Sequence, residues 1–579
     1  MANDNVIDGG ELCIRTLKSA GCEHIFCLHG GHLDPLFQAC IEHDIHLTDT
    51  RHEAAAGHAA DAYARQTGTF GVAFVTAGPG FTNVITAMTQ AYLDRSPVVF
   101  IVGAAPLRDA ESWPLQGGID QVAMARPVTK WAAQVTRTEL IPHMLRHAIR
   151  KTADGDPGPT MLEIPIDVLF NRIDASAAGS IEAPMEIARP APSGAEVERI
   201  LQLLSEAKRP AILCGGGMLL SKASHELVQF AERTGIPVYT NNKARGVIPS
   251  SHPLAGQALT NIKVAQASGL GTPDVVLTLG MRFGMFTEPG MLGPGRIPPD
   301  DCRIIQVDTS SAELGRIRAA EIGVIADCRA TLTELLSRAG GVSWPDWTSW
   351  SNAVKSLTAW HDHAYAAVIE KTSHIHPYEA VRQVIGALPS HTIVCADGGE
   401  ASAWAEMLAK PEAPGELMSH GYLGCLGIGM PFAIGAQRAH PDKRVVVIVG
   451  DGAAGFNVQE FDTMVRHDLP IVTIVLNNKA WGMCVHGQQV MFGANRLVVT
   501  QLGDAHYERV AEGFGCHGEY IEKAEDIAEA MKRSLESGLP ACINIITDLS
   551  AVPGDTRGKQ IEKTEPEGDK IAMPYYEDL

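Results

Sequence analysis

"VGDGAAGFN", Val449–Asn457, follows directly on the apolar run "KRVVVI", Lys443–Ile448. A strand that stops at Gly-Asp-Gly ahead of a helix turns backbone N–H groups toward an anion. Taken alone, Asp451 serves equally well as a helix cap. The next apolar run, "LPIVTIVLNN", Leu469–Asn478, closes on Asn477-Asn478. Neighbouring strands of a parallel sheet lie about 5 Å apart. The Asp451 carboxylate and the Asn478 amide oxygen then reach one hard cation. The Ala480 carbonyl, a diphosphate and a water complete an oxygen set suited to Mg²⁺.

The same β-then-α pattern extends outward in both directions. "GVAFVTAGPGFTN" (Gly71–Asn83) reads as strand, Gly-Pro-Gly turn and helix start. "SPVVFIVGAA" (Ser96–Ala105) and "PTMLEIPIDV" (Pro159–Val168) read as buried strands. A Pro-rich stretch, Ser180–Glu198, reads as a linker. A second block holds "RPAILCGGGM", "PDVVLTLGMRF" and "CRIIQVD", and a third holds "HTIVCADGG", the two runs above and "ACINIIT". Unbroken apolar strands alternating with helices predict parallel sheets covered on both faces. The expectation is three doubly wound α/β domains over residues 1–180, 190–342 and 360–553, with a polar tail over 554–579.

Composition narrows the function classes. With 47 Lys and Arg against 67 Asp and Glu, the net charge is −20, which argues against nucleic acid as a partner. The 12 cysteines form no CxxC pair and read as free thiols. Cys27, His29 and His32 lie close in sequence, but no second ligand cluster follows at a metal-site spacing. No run reaches the ~18 apolar residues of a membrane span. With no signal peptide read at the N-terminus, a cytoplasmic location is expected. A nicotinamide-binding reading lacks the GxGxxG fingerprint, and the Gly triplet at Gly215–Gly217 does not supply it.

Gly-Asp-Gly followed at this spacing by Asn-Asn resembles the signature of thiamine diphosphate (ThDP) enzymes. The order of the three blocks is similar to that of the acetolactate synthase and pyruvate oxidase superfamily. In "TRHEAAAGHAADAYAR", Thr50–Arg65, a lone carboxylate heads a helix of small residues. The resemblance implies that Glu53 hydrogen-bonds N1′ of the cofactor's aminopyrimidine, and that the small residues let the ring pack close. It also implies that Gly399, His420, Gly424, Leu426, Asp451, Gly452, Ala453 and Asn478 bind the cofactor, Leu426 as the wedge that bends it. Asp451, Asn478 and Ala480 are the expected Mg²⁺ ligands. Glu53 and Asp451 lie in different domains yet grip one cofactor, so the resemblance implies a homodimer at least and a homotetramer in prospect. A scaffold that has lost catalysis is disfavoured, because Glu53, Asp451 and Asn478 are all present.

"FCLHGGHLDPLFQAC" (Phe26–Cys40), "LQGGIDQVAMARPVTKW" (Leu115–Trp131) and "HGYLGCLGIG" (His420–Gly429) resemble benzaldehyde lyase and its carboligase relatives. The implied substrates are small aldehydes and 2-hydroxy ketones. His32 and Gln116 match the polar groups of that pocket, and His29 is a further candidate. A histidine moves protons near neutrality, and a glutamine donates or accepts without charge. Gly31, Ile166, Ser402 and Met483 depart from the expected walls, removing aromatic surface and adding a thioether. Trp481 completes the expected pocket. Acetolactate synthase-like and 2-hydroxyacyl-CoA lyase-like activities are the alternatives.

Overall fold

A computed structural model describes residues 6–178, 181–185, 187–288, 296–357, 365, 369, 372–493 and 495–553. The expected polar tail lies outside the described residues. Three six-stranded sheets carry the chain, and every strand pair within them is parallel. The N-terminal sheet runs His46–Asp49, His24–Cys27, Gly71–Val75, Val98–Ala104, Thr160–Pro165, Trp131–Gln134. The C-terminal sheet runs Leu417–Met418, Ile393–Asp397, Val445–Gly450, Val472–Asn477, Ala541–Ile546, His517–Ile521.

Counted in chain order within each sheet, both follow the order 2-1-3-4-6-5. The central sheet, from Ala255–Ala258 to Ile322–Ile325, follows 3-2-1-4-5-6. In each case the strand order reverses beside the first strand, and a crevice opens at the carboxyl ends there. In the N-terminal sheet this crevice lies between Leu28–His32 and Thr76–Gly80. In the C-terminal sheet it lies between Gly398–Gly399 and Gly450–Asp451. The fold therefore repeats one device at both ends of the chain.

The central sheet has its own core around Phe230, Leu277 and Trp347. The outer two share one, in which Phe26, Ala59 and Phe100 meet Phe432, Val447 and Phe461. Helix Glu53–Thr67 lies at this seam against helix Gly429–Ala439. Its small residues are consumed there. A Cβ on Gly57 would come within 2.5 Å of Ala87, and one on Gly435 within 2.1 Å of the Ala59 carbonyl. The small face read as cofactor-facing is thus packed by the chain's own helices, because small side chains serve any close neighbour equally well.

Two boundaries move. Helix Gly194–Ser205 begins inside the expected linker, closed by a capping box between Ser193 and Glu196. Strand Thr160–Pro165 ends before Ile166, which opens a short helix, Ile166–Phe170.

Candidate functional site

Asp451 and Asn478 follow paired strands, with Val449 opposite Val475 and Gly450 opposite Leu476. Asp451 opens a four-residue turn of helix, Asp451–Ala454, and is buried. Burial pushes its carboxyl up to about 6, while the N–H groups of Gly452, Ala480 and Lys479 pull it down. Its main-chain carbonyl is pinned by the Tyr507 hydroxyl at 2.7 Å. The Asn478 amide oxygen accepts from the Ala480 N–H at 3.1 Å. A carboxylate, an amide oxygen and a nearby carbonyl form an all-oxygen donor set, and among the described residues no ion pair involves the buried Asp451 carboxylate. This chemistry fits Mg²⁺.

These residues open on a cleft of about 2090 Å³, whose lining includes Gly399, Ser402, His420, Gly424, Leu426, Gly452, Ala453, Trp481 and Met483. Two glycines owe their identity to neighbours. A Cβ on Gly452 would stand 2.5 Å from the Trp481 ring, and one on Gly399 2.9 Å from the Met483 sulfur. Gly452→Ala must displace a rigid indole, whereas Gly399→Ala meets the end of a flexible thioether. Overpacking of this kind costs about 1–3 kcal/mol. Gly452→Ala is therefore expected to weaken ThDP binding by about ten- to hundredfold, read by calorimetric titration.

Ser402 lines the cleft, but its hydroxyl is spent on the Gly398 and Gly399 carbonyls at 2.5 and 2.9 Å. His420 Nε2 lies 3.3 Å from the Gly398 carbonyl. The loop carrying Leu426 is clamped by two residues that sequence reading missed. Asp397, which burial raises above the usual carboxylate range, accepts from the N–H groups of Gly398, Gly427 and Gly429. Asn457 donates to the Gly427 carbonyl at 2.5 Å. Gly424 and Gly427 have φ of 63° and 82°, conformations that favour glycine. A third missed group is the buried pair Glu400 and His486, 2.6 Å apart, with His486 Nε2 also 2.7 Å from the Leu549 carbonyl. Only a signal for buried polar partners distant in sequence would have found these.

The N-terminal candidates gather at the other crevice. Glu53 is 7% exposed and accepts from Asn83 Nδ2 at 2.9 Å. Thr76 Oγ1 lies 3.3 Å from His32 Nδ1 and 3.5 Å from Gln116 Oε1. Burial lowers the His32 pKa, which favours the neutral ring. Gly31 is exposed with open space beside it, and Ile166 is half-buried at the start of its short helix. His29 does not join the group. It pairs with Asp34 at 3.0 Å and stacks on Phe37, on the solvent side. Adjacency in sequence put it beside His32, and a carboxylate and a ring within reach turn it away.

Within one chain, none of Glu53, His32 and Gln116 lines the cleft at Asp451. The segment leading into the Glu53 helix is instead tied to helix Glu460–Arg466 of the same chain's C-terminal domain, where the Arg51 N–H meets Glu460 at 3.1 Å.

Residues 7–124 match the thiamine pyrophosphate enzyme N-terminal TPP binding domain, 197–335 the central domain and 397–545 the C-terminal TPP binding domain. An acetolactate synthase large subunit of Mycobacterium tuberculosis is 32% identical, over 93% of this chain and 96% of its own. A probable acetolactate synthase large subunit of Methanocaldococcus jannaschii is 30% identical, over 99% and 98%. A 2-hydroxyacyl-CoA lyase 2 of Bos taurus is 31% identical, over 93% and 90%. Likeness along the full length, with both crevices inside matched domains, means that the chain belongs to the thiamine pyrophosphate enzyme family.

Proposed function

We propose that the chain is a ThDP- and Mg²⁺-dependent lyase and carboligase of the benzaldehyde lyase type, breaking and forming the carbon–carbon bond of 2-hydroxy ketones with release or uptake of aldehydes. The observation that carries this reading is the grouping of His32, Thr76 and Gln116 at the N-terminal crevice, a small uncharged set suited to one hydroxyl and one carbonyl oxygen. ThDP, when bound, supplies the electron sink for the carbonyl carbon. His32, neutral through burial, accepts the proton of the substrate hydroxyl. Gln116 donates to the oxygen that gains charge. Asp451, Asn478 and Ala480 would hold Mg²⁺, and Glu53 would hold the pyrimidine ring.

Two copies are needed in this reading, because the halves of the site do not share a cleft within one chain. The loop bearing Gln116 supports it: Trp113 and Leu115 are 87% and 84% exposed, as residues awaiting a partner surface are. No helix among the described residues is long and apolar enough to cross a membrane.

One observation favours a second reading, a 2-hydroxyacyl-CoA lyase. The cleft continues past Leu426 to Gly217 and Gly280–Arg282 at the central sheet. Its volume exceeds the ~300–1,000 Å³ of ordinary small-ligand pockets. The test is incubation of the purified protein, ThDP and Mg²⁺ with benzoin or with a 2-hydroxyacyl-CoA. Benzaldehyde release, reduced in Gln116→Ala, is expected. Cleavage confined to the thioester would overturn the aldehyde reading in favour of the second.

A further inference from the structure

We infer that Gln121 is a positioning residue, whose amide fixes the Thr76–Gly80 turn on which Gln116, His32 and Glu53 converge. The inference rests on the reading of His32 and Gln116 given above.

Gln121 is 4% exposed and opens the short helix Gln121–Ala125. Its Oε1 accepts the Gly78 N–H at 2.8 Å, and its Nε2 donates to the Gly103 carbonyl at 3.0 Å and to Glu163 Oε2 at 2.8 Å. Both amide protons are spent, and the oxygen holds one donor. No other side chain of this size supplies two donors and an acceptor in that arrangement. A buried polar group left without its partner is costly, so the arrangement is held firmly.

The peptide so held is an unusual one. Gly78 has φ 61° and ψ −109°, which a residue with a Cβ rarely adopts. On one side, a Cβ there would meet Gln116 Cβ at 3.0 Å, and Gln116 itself has φ 61°. On the other side, Gly78 caps the helix Pro79–Asp94, which brings Gly80 and Asn83 against the Glu53 carboxylate. Thr76, two residues earlier, touches His32 and Gln116. Gln121 is therefore bonded to the one turn that all three candidate groups share.

The anchor behind it is Glu163, on strand Thr160–Pro165 and 4% exposed, which also accepts from Gln134 Nε2. Burial raises its carboxyl. Asp120 and Arg126 are the other charged groups lining the small cavity there.

The experiment compares Gln121→Met, Gln121→Glu and the double variant Gln121→Glu/Glu163→Gln, on whichever substrate the assay above identifies. Gln121→Met keeps the shape and removes every hydrogen bond. It is expected to lower kcat by about ten- to hundredfold, with KM within about threefold. Deuterium exchange should rise in the peptide containing Gly78. Gln121→Glu sets two buried carboxyls together, which hold the bridge only while they share a proton. Its kcat should fall as pH rises through that shared titration, a limb absent from wild type. Adding Glu163→Gln replaces the second carboxyl with a donor and should move the limb to lower pH, though the ionised carboxylate at position 121 still lacks a donor for the Gly103 carbonyl.

Wild-type kcat and exchange in Gln121→Met, or a wild-type pH profile in Gln121→Glu, would overturn the inference. If Gln121→Met does not fold, the Gln121→Glu profile and its shift in the double variant decide. Full activity in Gln116→Ala would instead remove the reading of Gln116 itself. Impaired Gln116→Ala beside intact Gln121→Met removes only the positioning role.

Discussion

Glu53→Gln is expected to lower turnover by about 10²–10⁴-fold, the usual range for loss of an acid–base group, with little change in thermal stability. The two side chains have the same shape, and the amide oxygen of glutamine can still accept from Asn83 Nδ2, which donates to Glu53 at 2.9 Å. His52, whose Nδ1 caps the helix start through the Ala54 N–H, is untouched. What disappears is the carboxyl group, in a nearly closed position at the head of a helix whose next turns are largely buried. Uniform loss of binding would raise KM alone, whereas a group that acts on the reacting cofactor lowers kcat. The measurement is kcat, KM and melting temperature for wild type and Glu53→Gln side by side. Turnover within about threefold of wild type would remove Glu53 from the chemistry, whatever happened to cofactor binding.

How much of this was legible in the sequence follows from the range of each interaction. Gly-Asp-Gly and Asn-Asn terminate adjacent strands, so a motif local in sequence became a candidate site through a single strand pairing. Three parallel sheets were legible for a similar reason, since buried strands such as Val98–Ala104 are continuous apolar runs. The shared 2-1-3-4-6-5 order of the outer sheets was not, because strand order is set by crossovers and leaves no periodic trace. The partners that hold the site were equally hidden. Gln121 finds Gly103 and Glu163, Asn457 finds Gly427, and His486 finds Glu400, each far away along the chain. The small residues after Glu53 were noticed and assigned to the wrong neighbour, since Ala59 and Gly57 say only that something lies close. His29 illustrates the converse: it stands three residues before His32 in sequence, but Asp34 and Phe37 hold its ring.

The largest stability effect is expected at Asp94, which joins elements of all three domains behind the Leu426 loop. Its carboxylate lies 2.8 Å from Arg65 Nη2 of the Glu53 helix and also pairs with Lys243 of the central domain. It occupies the space a Gly421 side chain would need, just beyond His420. Arg282 stacks over Tyr422 at 5.1 Å on the same loop. Burial alone would raise the Asp94 carboxyl, but Lys243 and Arg65 outweigh it and hold the group below the usual carboxylate range. Its folded pKa is thus depressed, so its stabilisation is complete above the unfolded value and is lost as pH falls through the folded one.

Asp94→Ala leaves half-buried Lys243 without its ion-pair partner among the described residues, and Arg65 with the Asp61 carboxylate. Removing one partner of a buried pair costs about 3–5 kcal/mol. A drop of that size should also loosen the loop that carries His420 and Leu426, so ThDP affinity should fall together with melting temperature. Asp94→Asn/Lys243→Met removes charge from both sides of the junction and should recover most of the loss, since neutral replacements of a buried ion pair are close to neutral in effect. Melting curves of the two variants and wild type at neutral pH and over a descending acid series starting from about pH 3.9, the unfolded carboxylate value, decide it. Asp94→Ala should lose its deficit relative to wild type as the pH is lowered, because the wild-type carboxylate is then protonated too. A deficit that persists undiminished in acid, or a double variant no more stable than Asp94→Ala, would mean that packing against Gly421 rather than charge holds the three domains at this point.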